Sequence, residues 1–494
     1  MSDARLAAVT AAPAAASPSA SSASHDAAAL RSLFEAQQAR RWQVAHTSAA
    51  QRRQKLEALR KAIIARSGEI EAALLKDFRK AAAETENTEV VTSLMELDHA
   101  IKHVARWMRP RKVKGGIALA GTKSELRREP LGVVLIVAPW NYPFSLLINP
   151  LVAAIAAGNC VILKPSEKTP ATSALLSRLI GDLHDPAEVA VVEGGAEVGA
   201  ALLELPFDHF FFTGGPTVGR KVMEAAARHL SSCTLELGGK SPAIVDASAD
   251  VKAAAERIVW GKFINGGQTC IAPDYVHVHA SQRAALVAEM KATLTRFYGP
   301  TEEARQQSPD FCRMVDDGAF RRLSGLLEGS VAAGAKVEAG GITDAAERYI
   351  APTLLTDVTP QMPVMHEELF GPLLPILTYE REEEVHGLVR RLGKPLALYL
   401  FSKDAAAVER WLQSTTSGGV SVNNTLLHIT NPHLPFGGVG GSGQGSYHGE
   451  FGFRTFSHTR GVLRQGRPNM AVSFYPPYTP KKRRMVALFR KLFE

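Results

Sequence analysis

Apolar residues recur along this chain with two different periods. Before residue 110 they fall three or four apart: Leu56, Leu59, Ile63 and Ile64 in one stretch, and Leu94, Leu97, Ile101, Val104 and Met108 in another. That spacing predicts helices with one buried face. Arg109-Pro110-Arg111 ends the second helix, because proline drives the residue before it out of the helical region. From Gly132 onward, short continuous apolar runs take over, at residues 133–137, 160–163, 189–192 and 209–213. Such runs predict strands buried on both faces. Helical stretches at 145–157 and 171–179 separate the first three, and a shorter one precedes residue 209. The alternation predicts a parallel, doubly wound α/β sheet. A second α/β unit opens at Glu236, with strands at 243–245, 275–278 and 420–423 and a helix at 251–263. There is no internal repeat.

Ligands of such sheets bind beyond the carboxyl ends of the strands. Those ends read Pro139-Trp140-Asn141-Tyr142-Pro143, Lys164-Pro165-Ser166-Glu167, Glu193-Gly194-Gly195 and Gly214-Gly215-Pro216-Thr217-Val218-Gly219. In the last, two glycines leave a strand and Pro216 suits the first turn of a helix. Free amides there can face a phosphate, although the full G-x-G-x-x-G fingerprint is not present. Lys164 can pair with phosphate or ribose oxygens and Glu167 can accept ribose hydroxyls, but two solvated charges would look the same. Glu368 and Phe370, in Glu367-Glu368-Leu369-Phe370-Gly371-Pro372, could hold a ribose and a flat ring, or belong to a loop with a core phenylalanine. Residues 435–441, rich in glycine, read as an ordered surface loop.

The stretch from Glu236 to Cys270 carries the reactive groups. Glu236 precedes Gly238-Gly239-Lys240, and Cys270 follows Gly266-Gly267-Gln268-Thr269. A thiolate can attack an electrophilic carbon and hold it covalently. A nearby carboxylate can take a proton from water and release what the thiolate holds. Taken singly, such a cysteine also reads as a small buried hydrophobe, and Glu-x-Gly-Gly as a strand end entering a turn.

Composition narrows the partners. The 494 residues exceed one core, so two or three domains are expected. Net charge is +8, but no basic stripe is interleaved with aromatics, which argues against nucleic acid. The excess could help attract an anionic cofactor. Cys160, Cys233, Cys270 and Cys312 are too widely spaced for a disulfide framework or a zinc site, and the histidines lack metal-ligand spacing, so no metal is expected. Free cysteines suit a reducing, cytoplasmic setting. No run of 18 apolar residues suggests a transmembrane helix. Residues 1–26, dominated by Ala, Ser and Pro, read as a disordered tail. A signal peptide fits less well, because prolines interrupt the apolar stretch and Asp3 stands where positive charge belongs. At the other end Met485, Leu488, Phe489 and Leu492 share one helical face behind Lys481-Lys482-Arg483-Arg484. That face can touch a membrane surface weakly, or dock on the protein itself or on a partner subunit, the reading favoured here.

Seven motifs in order now carry a resemblance: Pro139-Trp140-Asn141, Lys164-Pro165-Ser166-Glu167, Phe212-Thr213-Gly214, Leu235-Glu236-Leu237-Gly238-Gly239-Lys240, Gly267-Gln268-Thr269-Cys270, Glu368-Leu369-Phe370-Gly371-Pro372 and Pro435-Phe436-Gly437-Gly438. The chain resembles the aldehyde dehydrogenase superfamily from about residue 30 to its C-terminus. Cys270-Ile271-Ala272-Pro273-Asp274-Tyr275, Tyr447-His448-Gly449 and Tyr475-Pro476-Pro477-Tyr478-Thr479 make it similar to the class 3 type, and within that to bacterial coniferyl aldehyde dehydrogenases.

The resemblance implies a Rossmann-like NAD(P)-binding domain at 27–108 and 132–235, and a catalytic domain at 236–415. It also implies a small β oligomerisation arm at 109–131 and 416–470, a basic tail at 471–494, and a homodimer. By motif, Cys270 would be the nucleophile, Glu236 the general base and Asn141 an oxyanion donor. Lys164 and Glu167 would meet the adenosine ribose, and Gly214, Gly215 and Gly219 the pyrophosphate. Trp140 would join the cofactor site, and Glu368 and Phe370 would position the nicotinamide ribose and ring. Many relatives carry serine where this chain has Gly215, so one hydroxyl donor to the pyrophosphate is missing. The expected reaction is NAD- or NADP-dependent oxidation of an aldehyde, of the coniferyl type, to its acid. The alternatives are a medium- or long-chain aldehyde dehydrogenase, a CoA-acylating dehydrogenase, a cysteine hydrolase and a non-catalytic binding protein.

Overall fold

The central strand of the first sheet is Val133–Val137. A computed structural model describes residues 26–116 and 119–491, so most of the expected N-terminal tail lies outside the described residues. The sheet has six strands in the order Gly443–Gln444, Ser232–Leu237, His209–Gly214, Val133–Val137, Cys160–Lys164, Val189–Val191. All its pairings are parallel except that of Gly443–Gln444. From the central strand the chain steps outward on one side, then crosses back to lay His209–Gly214 on the other. This reversal creates a switch point, the position at which such sheets bind ligands beyond their carboxyl ends. Side chains of the central strand alternate between two cores. Val133 and Leu135 pack with Leu30, Phe34 and Phe207, whereas Val134 and Ile136 pack with Leu147 and Leu151. A strand buried on both faces needs the continuous apolar run seen in the sequence.

A second sheet has seven strands, ordered Lys336–Ala339, Thr353–Thr356, Leu373–Tyr379, Tyr275–His279, Pro242–Val245, Ala397–Phe401, Gly419–Val422. Only Lys336–Ala339 pairs antiparallel. The third sheet, Arg111–Val113, Thr122–Pro130 and Ser457–Gln465, is antiparallel and largely exposed. Residues 416–470 thus feed each of these three sheets, through Gly419–Val422, Gly443–Gln444 and Ser457–Gln465. The fold is the α/β class that the alternation predicts.

Helix Ser145–Ala157 is buried on every side, among helices Ala49–Ala65, Val91–Trp107 and Gly449–Thr455. Its sequence is apolar all round, as such a position demands. Three readings change in detail. Helix Ala27–Ala45, capped by the Asp26 side chain, has no counterpart in the sequence reading. Its buried face is only Leu30, Phe34, Gln37 and Val44, too thinly apolar to show a period. Ile64 is 47% exposed while Ile63 is fully buried, because neighbours on a helix point about 100° apart. Residues 435–441 are not simply surface. Phe436 is buried, and a Cβ on Gly438 would stand 1.9 Å from the Ser442 carbonyl, so only glycine allows that approach.

The basic C-terminal helix is Pro480–Arg490, started by Pro480 and capped by Thr479. It rests on the 470–474 turn, with the Phe489 and Phe474 rings 6.4 Å apart, and Leu488 stays exposed. Among the described residues no helix is long and apolar enough to cross a membrane.

Candidate active site

Strand Ser232–Leu237 of the first sheet runs through Gly238–Gly239 directly into Pro242–Val245 of the second. Glu236 therefore stands at the seam between the two sheets. Cys270 reaches the same seam from the second unit, after helix Val251–Phe263 and before strand Tyr275–His279. Both line one cavity of about 700 Å³, together with Tyr142, Phe436 and Tyr447. Residues 34 apart in sequence thus face the same space.

The turn before Cys270 is built from unusual backbone. Asn265, Gly266 and Gly267 all have positive φ, at 54°, 59° and 76°. A Cβ on Gly267 would stand 2.3 Å from the Gly371 carbonyl oxygen, so glycine is required there. Side-chain amides hold the turn. Asn265 Nδ2 donates to the carbonyls of Asn141 and Gln268, at 2.9 and 3.1 Å. Asn141 Nδ2 donates to the Gln268 carbonyl at 3.0 Å. Gln268 is fixed in turn by the Asn265 and Arg313 carbonyls and by the Val315 N–H. Tyr142 shares a 2.6 Å hydrogen bond with Thr269. Asn141 is buried, with one amide proton bonded to Gln268 and the other without an acceptor among the described residues.

Electrostatics single out the same two residues. Glu236 is buried, and neither carboxyl oxygen has a hydrogen-bond partner among the described residues. Burial pushes its pKa well above the ordinary carboxylate range. The Cys270 thiol is pushed up to about 12, first by burial, then by the negative charges of Glu368 and Glu236. The N–H groups of Cys270 and Ile271 act in the opposite sense. Burial and the two neighbouring carboxylates thus favour the neutral thiol over the thiolate.

A second cluster braces the seam. Lys240 Nζ pairs with Asp274 and donates to the carbonyls of Val364 and Glu367. Asp274 also accepts the Leu369 N–H at 2.9 Å. Three loops are tied together by two buried side chains. Glu368 is thereby laid over Gly238, where a Cβ would stand 2.0 Å from its carboxyl oxygen. Burial, then the charge of Asp274, raises Glu368 to about 8, against the Gly239 N–H, Lys240 and Lys262. Phe370 has φ 50° and meets Trp140 edge-to-face at 5.3 Å.

The remaining expected cofactor residues gather at the switch point. Gly214 ends the strand His209–Gly214, and helix Pro216–His229 begins with no side chain capping its first-turn amides. Nothing stands within 4 Å of where a Cβ on Gly215 would be. Open amides at a helix start, on the switch-point side, fit a pyrophosphate. Gly219 differs: it is buried in the first turn, and a Cβ would press on Leu237 at 2.8 Å, so it serves helix–strand packing. Lys164 is buried, donating to the Gly194 carbonyl at 2.8 Å, with Glu167 beside it at 3.4 Å and half exposed. An acid at that strand end fits a ribose.

Sequence reading passed over Tyr142, Asn265, Gln268, Lys240 and Asp274 as site residues. The run Asn265-Gly266-Gly267 was a usable signal, since these residue types tolerate positive φ.

The model of the aldehyde dehydrogenase family matches residues 3–462. Aldehyde dehydrogenase family 3 member A2 of Macaca fascicularis is 44% identical over 436 residues, covering 87% of this chain and 88% of that protein. A substrate-bound structure of Staphylococcus aureus AldH superposes with TM-score 0.89 at 42% identity, covering 93% of this chain and 99% of that one. PnpE in complex with nicotinamide adenine dinucleotide superposes with TM-score 0.82 at 25% identity, covering 90% and 91%. With the shared cavity and the switch point, these matches place the chain in the aldehyde dehydrogenase family, near class 3, as an NAD(P)-dependent enzyme that oxidises aldehydes.

Proposed function

We propose that the enzyme oxidises an aromatic aldehyde of the coniferyl type to the free acid, with Cys270 as nucleophile, Glu236 as general base and Asn141 as oxyanion donor. The observation that carries this reading is the shared cavity: one thiol and one unpartnered carboxyl face the same space. Tyr142, Trp260, Phe297, Phe436 and Tyr447 line it and supply flat surfaces for an aromatic ring.

Cys270 Sγ adds to the aldehyde carbon as its proton passes through water in the cavity to solvent. The carbonyl oxygen gains negative charge and accepts hydrogen bonds from the second proton of the Asn141 amide and from the Cys270 backbone N–H. Donors fixed in advance lower the barrier, and losing one costs about 3 kcal/mol. When bound, NAD or NADP supplies the acceptor for the hydride leaving the thiohemiacetal carbon. Cys270 then holds a thioester. Glu236 in its ionised form takes a proton from water; the resulting hydroxide attacks the thioester, the C–S bond breaks, the acid departs, and the proton held by Glu236 passes to the Cys270 sulfur, restoring the thiol. Glu236 supports release by water, whereas a CoA-acylating enzyme has no need of such a base. A cysteine hydrolase would use no nicotinamide, contrary to the family.

A medium- or long-chain aldehyde is the second reading, favoured by the aliphatic lining of Met95, Leu146, Leu427 and Ile429. Initial rates of cofactor reduction with coniferyl aldehyde, benzaldehyde and decanal, each with NAD and with NADP, test the choice. A decanal kcat/KM above that of both aromatic aldehydes would overturn the aromatic reading.

The partner reading is a homodimer in the cytoplasm. Strand Ser457–Gln465 is an edge of the exposed three-stranded sheet with nine residues in register on one side only. Long edges invite pairing with another chain. Sedimentation equilibrium giving a monomer would contradict this. Weak contact of helix Pro480–Arg490 with an anionic membrane is a further reading, supported by its basic residues and exposed Leu488. Absence of co-sedimentation with phosphatidylserine vesicles would dismiss it.

A further inference from the structure

The cavity wall holds three carboxyls besides Glu236: Glu84, Glu96 and Asp310. Glu96 is fully engaged, accepting the Gly449 N–H at 2.8 Å and lying 3.3 Å from His448 Nδ1. Glu84 is only half engaged. Its Oε1 accepts the Asn265 N–H at 2.9 Å, and its Oε2 has no hydrogen-bond partner among the described residues. Tyr298, the last residue of helix Arg283–Tyr298, also lines the cavity. Its ring is held edge-to-face on Phe311 at 5.2 Å, and its hydroxyl likewise lacks a partner. The two groups are near enough that the Glu84 charge raises the Tyr298 phenol further, after burial.

An apolar substrate filling this space would strip water from both groups and return nothing, which costs free energy at each. A hydroxyl placed between them would accept from Tyr298 and donate to Glu84 Oε2. We propose that Glu84 and Tyr298 form a subsite that selects aldehydes bearing a hydroxyl group away from the carbonyl. The acceptor is fixed relative to the nucleophile, because Glu84 is bonded to the turn that presents Cys270. Sites built to hydrogen-bond a hydroxyl discriminate strongly against analogues that lack it. The inference rests on the reading that this cavity binds substrate, and it names the class within that reading: hydroxylated aldehydes, phenolic ones where the ring is aromatic.

The test compares cinnamaldehyde with 4-hydroxycinnamaldehyde in the wild-type enzyme, Tyr298→Phe and Glu84→Gln, with NAD. The quantity read is the ratio of kcat/KM for the hydroxylated over the plain aldehyde, and comparison across variants cancels the intrinsic reactivity of the two compounds. The ratio is expected to fall about tenfold in Tyr298→Phe, chiefly through KM of the hydroxylated aldehyde, and also in Glu84→Gln. An unchanged ratio in both variants would overturn the subsite while leaving the aldehyde dehydrogenase reading intact. A ratio unchanged in Glu84→Gln with equal loss on both aldehydes would reduce Glu84 to a brace of the turn and overturn its part. Oxidation of neither aldehyde by the wild type, with decanal turned over, would overturn the aromatic reading and the phenolic class with it. The ratio for a pair of plain and ω-hydroxylated alkanals in Tyr298→Phe would then decide the subsite itself.

Discussion

Two buried glutamates, Glu89 and Glu236, have opposite surroundings. Glu89 is fully buried and fully satisfied: Oε1 accepts from Lys80 Nζ at 3.0 Å and Oε2 from the Ser145 N–H at 2.8 Å. Glu236 is buried almost as deeply, yet neither oxygen has a partner among the described residues. A buried carboxyl without hydrogen bonds is costly, and structure alone gives no reason to keep it. Glu89 pins helix Ser145–Ala157 to the π-helical turn Glu86–Val90, so its contribution is architectural. Glu236 faces the cavity that holds the thiol, which fits the general base proposed for it. Burial does not distinguish the two groups, but satisfaction does.

Substitutions can break this contrast. The largest effect is expected from Cys270→Ala, which removes the proposed nucleophile. Aldehyde-dependent cofactor reduction should drop by about 10⁴-fold or more, while the melting temperature shifts little. Glu236→Gln should lower kcat by roughly 10²–10⁴-fold, the range of a general base. It should leave thermal stability unchanged or slightly raised, because an amide carries no charge to desolvate. Lys80→Met should do the reverse. Leaving Glu89 buried and unpaired costs about 3–5 kcal/mol in chemical denaturation, with a smaller loss of kcat. If Glu236→Gln unfolds the enzyme and Lys80→Met merely slows it, the assignment of roles is inverted.

Acidity sharpens the contrast further. The Cys270 thiol, raised to about 12, is almost wholly protonated at neutral pH. Its alkylation by iodoacetamide in the cofactor-free enzyme should therefore be slow at pH 7, and should quicken about tenfold per pH unit up to pH 10. A rate that plateaus below pH 8 would mean that a nearby group already ionises the thiol. The smallest effect concerns stability. Because burial raises Glu236, the folded protein keeps a proton that the unfolded chain releases in the ordinary carboxylate range. Its contribution to stability is greatest below that range and is lost as pH rises towards the folded value. Denaturant midpoints measured across pH 4–8 should decline less in Glu236→Gln than in wild type.

The sheet was legible because its strands are buried on both faces, and such strands must be written as apolar runs. Residues 133–137 and helix 145–157 were read to the residue. Helix Ala27–Ala45 was not, because alanine and glutamine blur its narrow buried face. The reactive pair was visible as motifs, but its convergence was not: Glu236 and Cys270 meet through two sheets whose packing no local pattern encodes. The state of the thiol was also hidden, since a pKa is set by desolvation and by charges such as Glu368, nearly a hundred residues away in sequence. Glu84 was passed over because nothing near it in sequence marks it as lining the cavity.

The central claim is that Glu236 releases a thioester carried by Cys270. Glu236→Gln mixed with coniferyl aldehyde and NAD, quenched in acid and analysed by intact mass, tests it directly. One acyl group per chain should accumulate, mapped by peptide digestion to Cys270, alongside a burst of one reduced cofactor per site and little free acid. Acid formed at the wild-type rate with no mass gained at Cys270 would contradict it.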